Sequence, residues 1–233
     1  MEGCPLHTKP FTLERTWDVD GVPVLAAAVS LPWPEAADRV SRRIRRYYQL
    51  QGRSFLRYCE KLLFPQARAA YQAALASSGP LPLWRAELDY RVTYNEGGFW
   101  SLYTQSREVT EEGPLLTRRG DTWDLAEGCP VPLSRFFHRR SGWRRLLLQT
   151  TAAEMERRAR AGRSRYREDW RRQLRRSFNP RNYYLTEEGL AFFLPMYAVS
   201  GAGEGIPTFL LPWREGGPCP PEAGGSPKRS RPS

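Results

Sequence analysis

Few folds accommodate the stretch Asn182-Tyr183-Tyr184-Leu185-Thr186-Glu187-Glu188-Gly189-Leu190-Ala191-Phe192-Phe193. Two short aromatic runs meet at a Glu-Glu-Gly turn, and a third apolar run, Thr208-Phe209-Leu210-Leu211, closes after Gly205-Ile206-Pro207. Such runs, punctuated by turn residues, are the pattern of a compact β-sheet. A second strand signal lies upstream. From Trp84 onward Leu88, Tyr90, Val92 and Tyr94 alternate with Glu87, Asp89, Arg91 and Thr93, the two-residue period of a half-buried strand. Asn95-Glu96-Gly97-Gly98 then offers a hairpin turn, Phe99 to Val109 returns, and Leu115 to Leu125 follows the turn at Glu111-Glu112-Gly113-Pro114. These three strands form an antiparallel meander, and Val22 to Leu31 reads as a further, buried strand.

Helical periodicity separates the two strand regions. Trp33-Pro34-Glu35 suits a helix entrance, because proline fits the first turn. Ala36, Val40, Ile44 and Tyr47 recur at helical spacing, and Phe55, Cys59, Leu62 and Leu63 extend the stripe past Gly52, as one long or twice-broken helix ending near Ser77-Ser78-Gly79-Pro80. Arg42, Arg43, Arg45, Arg46, Arg53 and Arg57 fall mostly off that stripe, as on a solvated face. After a turn at Glu127-Gly128, a helix is expected behind Ser134 as N-cap. Trp143, Leu146, Leu147, Thr150 and Ala153 mark one face of a helix, while Tyr166, Trp170, Leu174 and Phe178 mark another that Pro180 ends.

The fold class is therefore α+β: an antiparallel sheet covered by one long N-terminal helix and a later arginine-rich helical pair. Residues 1–14 read as a flexible N-terminus and residues 15–214 as the folded domain, divided at residue 110. The Gly-, Pro- and Ser-rich stretch 215–233 reads as a disordered basic tail.

The net charge of +11 is concentrated. Between Arg139 and Arg181 fifteen arginines face only Glu154, Glu156, Glu168 and Asp169, a surplus equal to that of the whole chain. Two readings stay open. One is an anionic partner, such as nucleic acid, an acidic protein surface or a wall polymer, met by Arg163, Arg165, Arg167, Arg171, Arg172, Arg175 and Arg176. The other is a solvated face in a chain whose basic residues are nearly all arginine, with lysine only at positions 9, 61 and 228. No zinc-finger spacing, RNA-recognition signature or helix-turn-helix accompanies the charge.

Catalytic and cofactor chemistry find no pattern here. The two histidines, His7 and His138, lack a His-Glu-x-x-His partner, and no Gly-x-Ser-x-Gly or phosphate-cradling glycine loop occurs. His138 suits a helix surface, and Glu87 and Asp89 suit the solvent side of a strand. Cys4, Cys59, Cys129 and Cys219 are too far apart for a metal or redox motif; Cys59 reads as a small buried hydrophobe, Cys4 and Cys219 as residues of mobile termini. Neither a signal peptide nor a membrane span is visible, so the expected location is cytoplasmic. No enzyme activity and no cofactor are expected.

One family resemblance emerges from the order of these motifs. A strand with a long helix is followed by Tyr90-Arg91-Val92-Thr93-Tyr94-Asn95, Ser101-Leu102-Tyr103, Leu133-Ser134-Arg135-Phe136-Phe137, Tyr184-Leu185-Thr186-Glu187-Glu188-Gly189 and Gly205-Ile206-Pro207. Over about residues 15–214, this order resembles the paired domains of unknown function in RsiV-type anti-sigma factors of Firmicutes, which also occur beside peptidoglycan deacetylase domains. The resemblance implies a non-catalytic α+β module for a protein or cell-envelope ligand, extracytoplasmic in most relatives, with lysozyme bound by one branch.

Three departures accompany it. The family's Gly-Gly-Ala-His-Gly stretch is replaced by Thr110-Glu111-Glu112-Gly113-Pro114-Leu115, the residues before Gly205 lack the usual proline and tyrosine, and no membrane anchor is expected. A strongly basic partner would be repelled over a Debye length of about 8 Å unless acidic loops converge. Glu111, Glu112 and Glu204, with Glu187 and Glu188, are the candidates for such a patch.

Overall fold

In the computed structural model, residues 5–138, 142–214 and 217–221 are described. Cys4, Arg139, Arg140 and the basic end 222–233 lie outside them. The first strand, β1 (Thr8–Val19), begins inside the segment expected to be flexible and pairs antiparallel with β2 (Val22–Pro34). Asp20 and Gly21, both at positive φ, make the turn between them. Because β2 runs on through Pro34, no helix begins there. Trp33 and Pro34 pair with Lys9 and Thr8, and the helix α1 (Arg39–Tyr58) starts at Asp38, whose side chain accepts from the Ser41 N–H at 2.8 Å and its hydroxyl at 2.7 Å.

A single turn of π-helix, Cys59–Leu63, joins α1 to α2 (Phe64–Ala76), so the helix bends its pitch without breaking at Gly52. The buried stripe explains that turn. Phe55, Cys59, Leu63, Ala67 and Tyr71 are spaced by four residues, and a strict four-residue repeat drifts about 40° per step on an α-helix of 3.6 residues per turn. One wider turn absorbs the drift and keeps the stripe on the sheet. Leu62, expected on the stripe, is 55% exposed.

The helical crossover permits β3 (Trp84–Glu96) to lie parallel to β2, with Leu25 opposite Trp84 and Val29 opposite Leu88. From there β4 (Phe99–Thr110), β5 (Gly113–Asp124) and the short β6 (Cys129–Pro130) continue antiparallel, completing a sheet of order β1-β2-β3-β4-β5-β6. The meander is thus part of a mixed sheet, not an antiparallel one. Gly97 and Gly98, both at positive φ, form its β3–β4 turn.

After β6 a single turn of 3-10 helix, Leu133–Phe136, replaces the helix expected behind Ser134, and His138 follows it outside any helix. The helix α3 (Trp143–Arg160) buries Leu147, Thr151 and Met155, leaving Ala153 exposed. The expected second helix shrinks to α4 (Trp170–Arg176): Tyr166 bridges to Ser200 in extended conformation, and the helix stops at Ser177, ahead of Pro180. The strands β7 (Tyr183–Thr186), β8 (Gly189–Phe193) and β9 (Thr208–Pro212) form a separate antiparallel sheet, turning at Glu187-Glu188 as the motif suggested. Part of the supposed tail is ordered as well: the Cys219 N–H donates to the Phe136 carbonyl at 2.8 Å.

The large sheet carries α1 and α2 on one face. Ile44, Tyr48, Phe55, Cys59 and Leu63 pack there on Val29, Leu31, Trp100, Leu102 and Trp123. Its other face receives the free edge of β7. The Leu185 N–H donates to the Ser101 hydroxyl at 2.9 Å, and a Cβ on Gly120 would overlap the Tyr183 carbonyl oxygen. The small sheet then splits its side chains. Tyr184, Ala191 and Phe193 pack toward Tyr103, while Tyr183, Leu185, Leu190, Phe192 and Phe209 build a second core with Phe136, Leu147, Met155 and Leu174.

Between α1 and the large sheet runs a polar seam. Tyr47 and Tyr48 donate to Asp121 at 2.8 and 3.4 Å, Gln51 to Thr104 at 2.8 Å, and Tyr58 to Glu108 at 2.9 Å. Burial holds the carboxyl of Glu108 above its ordinary value, with the Tyr58 hydrogen bond opposing. The same burial, together with Glu108, pushes the Cys59 thiol up to about 12.

Two outcomes follow from this packing. Gly120→Ala should lose about 3 kcal/mol of stability in urea unfolding, since the methyl must displace the β7 backbone; an unchanged midpoint would refute the close approach. Since Glu108 has a raised folded value, folding favours its protonated form, and that contribution declines as pH rises from about 4.5 through the folded value. Glu108→Gln should therefore melt above the parent near pH 7, with the difference vanishing near about pH 4. A gain of equal size at both values would show that burial of charge is not its cause.

Candidate functional site

Among the described residues, the edge of β5 beyond β6 has no strand neighbour: β6 pairs only with Trp123 and Asp124, and the Val131 N–H reaches the Thr122 carbonyl at 2.8 Å. The chain then leaves the sheet, and the start of α3 and the segment before β7 come back opposite this open edge. Between them lies a cleft of about 740 Å³, walled by Arg118 to Thr122 on one side and by Trp143, Arg144 and Asn179 to Tyr183 on the other. Tyr183 closes one end with a hydrogen bond from its hydroxyl to the Val131 carbonyl. The volume is that of a pocket for a small ligand or a few units of a polymer.

Four arginines and a single carboxylate, Asp121, line the cleft among the described residues. Arg118 is immobilised: it donates to Gln105 at 2.7 and 3.0 Å and to Thr208 at 3.0 Å, and lies 4.3 Å over the Tyr103 ring. Arg119 pairs with Asp121 at 3.3 Å, contacts the Tyr47 hydroxyl and lies over its ring. Burial raises the Asp121 carboxyl above its ordinary value, opposed first by the Arg119 charge and then by the hydrogen bonds it accepts. Its Oδ1 takes Tyr47 and Arg119, its Oδ2 takes Tyr48. With both oxygens engaged, Asp121 is a strut that fixes Arg119. The remaining pair is different. Arg144 rests 5.3 Å over Trp143, itself stacked on Phe137 at 5.9 Å, and Arg181 is exposed; neither has a carboxylate partner among the described residues.

Of the arginines singled out in the sequence, none lines this cleft. Arg163, Arg165 and Arg167 occupy the exposed connection between α3 and α4, where the Arg165 N–H donates to Glu204 at 3.0 Å. Arg172 and Arg176 are exposed on α4, and Arg171 and Arg175 border a separate groove against α3. Several other arginines neutralise the acids of this region: Glu154 takes Arg157 and Arg158, each at 2.7 Å, and its carboxyl falls to about 2.

The acidic candidates divide. The connection bearing Glu204 lies beside the start of β5, with Gly205 near Leu116 and the Tyr197 hydroxyl 3.4 Å from the Pro114 carbonyl, so it shares an end of the molecule with Glu111 and Glu112. Glu187 and Glu188 sit at the opposite end of β5, since β7 runs from Gly120 past Ser101 toward Asp124. The five carboxylates do not form one patch.

Arg119, Arg144 and Arg181 were missed as site residues because three separated segments supply them. Their sequence trace is limited to Arg144 and Arg181 falling at the two ends of the arginine-rich segment. Among the described residues no cluster of three or more His, Cys, Asp or Glu could hold a metal ion, and no helix is long and apolar enough to cross a membrane. Cys219 Sγ lies 3.3 Å from His138 Nε2, outside the cleft.

A search of curated proteins finds no significant match. Residues 141–214, which contain the second wall of the cleft and the small sheet, match the family model described as "Protein of unknown function (DUF3298)". Among solved structures, a member of that family from Bacteroides fragilis NCTC 9343 superposes with a TM-score of 0.63 at 13% identity, covering 89% of this chain and 90% of that one. A DUF3298 family protein from Pseudomonas aeruginosa PAO1 gives 0.57 at 14% identity, over 90% and 91%. The C-terminal third thus matches a family of unknown function, and the chain as a whole has the fold of two solved members of it.

Proposed function

We propose that this chain is a non-catalytic recognition domain whose cleft takes an anionic segment of an acidic glycopolymer. The observation that carries the reading is the pair Arg144 and Arg181, two lining cations that, among the described residues, have no carboxylate partner and share the cleft with one carboxylate already engaged by two tyrosines and Arg119. A concave site of this size favours one or a few charged units over a nucleic-acid duplex. Engagement of both Asp121 oxygens supports binding over acid–base chemistry, because a general acid or base needs an oxygen facing the substrate. The resemblance of the Tyr184 to Gly189 motif to RsiV-type sensor domains agrees with an envelope ligand.

Titration with polygalacturonate, dextran and single-stranded DNA tests the proposal. Polygalacturonate should bind at about 50 mM salt and weaken steeply as salt rises, dextran should not bind, and Arg144→Ala with Arg181→Ala should cost roughly tenfold or more in affinity. Both positions are exposed, so the variant should melt with the parent. DNA bound more tightly than polygalacturonate, or a double variant binding like the parent, would refute the assignment.

A further inference from the structure

A second concavity opens on another side of α3. Leu148 and Ala152, one turn apart, and Leu174 of α4 form its apolar floor, while Arg145, Arg171 and Arg175 stand around it, enclosing about 540 Å³. Arg145 and Arg144 are successive residues, about 100° apart around the helix axis, so this groove and the cleft flank the first turn of α3 without sharing a lining residue. Arg171 is held in place, bonded to Glu156 at 2.8 Å and lying 4.6 Å over the Trp170 ring. Arg145 and Arg175 are exposed and have no carboxylate within bonding distance among the described residues.

We infer that this groove docks an acidic amphipathic helix of another protein. Charge decides the occupant. A second copy of this chain carries +11, and the chain's own end presents Lys228, Arg229 and Arg231 against one Glu222, so both would meet the arginine rim with like charge. The floor, built from residues one helical turn apart, suits apolar side chains at i, i+3 and i+4 laid between two helices, and the rim suits glutamates flanking them. Small-residue Ala152 leaves the space that such a side chain fills.

The test uses the intact chain and a fluorescent synthetic helix as long as α3, made of Glu, Ala and Leu with leucines at those spacings, read by anisotropy. A second probe has every Glu replaced by Lys. The acidic helix should bind and the basic one should not. Arg145→Glu with Arg175→Glu should weaken binding about tenfold or more, equivalent to about 1.4 kcal/mol or more. Ala152→Gln, which keeps the helix but makes the floor polar, should weaken it as well, a loss that mere attraction to a basic surface would not produce. Arg144→Ala with Arg181→Ala should leave it unchanged, which separates this site from the cleft. Circular dichroism melts of each variant should match the parent and so confirm that it is folded. The inference is overturned if the acidic helix does not bind, if the Lys probe binds equally, if Ala152→Gln binds like the parent, or if vesicles of anionic lipid bind through the same arginines while the helix does not.

Discussion

The small sheet approaches the far side of the large one most closely at one backbone contact, the free edge of β7 set against β4 and β5. An exposed strand edge presents unpaired N–H and C=O groups. Here the Ser101 hydroxyl accepts one of them from Leu185 while sharing a hydrogen bond of 2.7 Å with Thr122, and Gly120 lets the Tyr183 carbonyl approach where any side chain would stand in its way. The contact sets how far the small sheet stands from the large one. It also decides that Asn179 to Tyr183 faces the open edge of β5, so the cleft exists because the two sheets meet edge to face.

The opposite face obeys a different rule. The helix α1 meets the sheet through apolar residues on one stripe and through Tyr47, Gln51 and Tyr58 on the next, where both hydroxyls and the Gln51 Nε2 pair with polar groups of β4 or β5 and the Gln51 Oε1 stays unpaired. Buried polar groups are tolerable only when paired. Glu108 and Asp121 therefore fix the rotation of α1 at some electrostatic cost, as their raised carboxyls record. Asp121 then passes its order outward, because the side chain that Tyr47 and Tyr48 immobilise also holds Arg119 at the wall of the cleft.

Local signals in the sequence survived folding well. The Gly97-Gly98 and Glu187-Glu188 turns, the three strands between Trp84 and Asp124, and the helical stretch after β2 were all legible because each rests on spacing within a dozen residues. What was not legible depends on partners far away. β1 is mostly polar and exposed, with only Trp17 buried, and is a strand because β2 pairs with it. Tyr166 has helical spacing to Trp170, yet Ser200 draws it into a bridge. The parallel pairing of β2 with β3 and the separation into two sheets leave no local mark. Counting the charge surplus could not distinguish Arg157 and Arg158, which neutralise Glu154, from Arg144 and Arg181, which have no carboxylate partner among the described residues.

The π-turn at Cys59–Leu63 holds one residue more than an α-helical turn. One residue removed there would let the turn relax to an ordinary α-helix with Ala67 and Tyr71 still against the sheet, because the lost residue takes away about 100°, close to the angle that the wider turn takes up. Relaxation with every residue kept would instead rotate all that follows by about 100° and swing Ala67 and Tyr71 toward solvent, while the residues before Cys59 stayed seated. The extra residue thus acts as a phase adjuster between two halves of one helix. In a chain of this architecture, the loss of one residue at that turn would be absorbed without a change of facing.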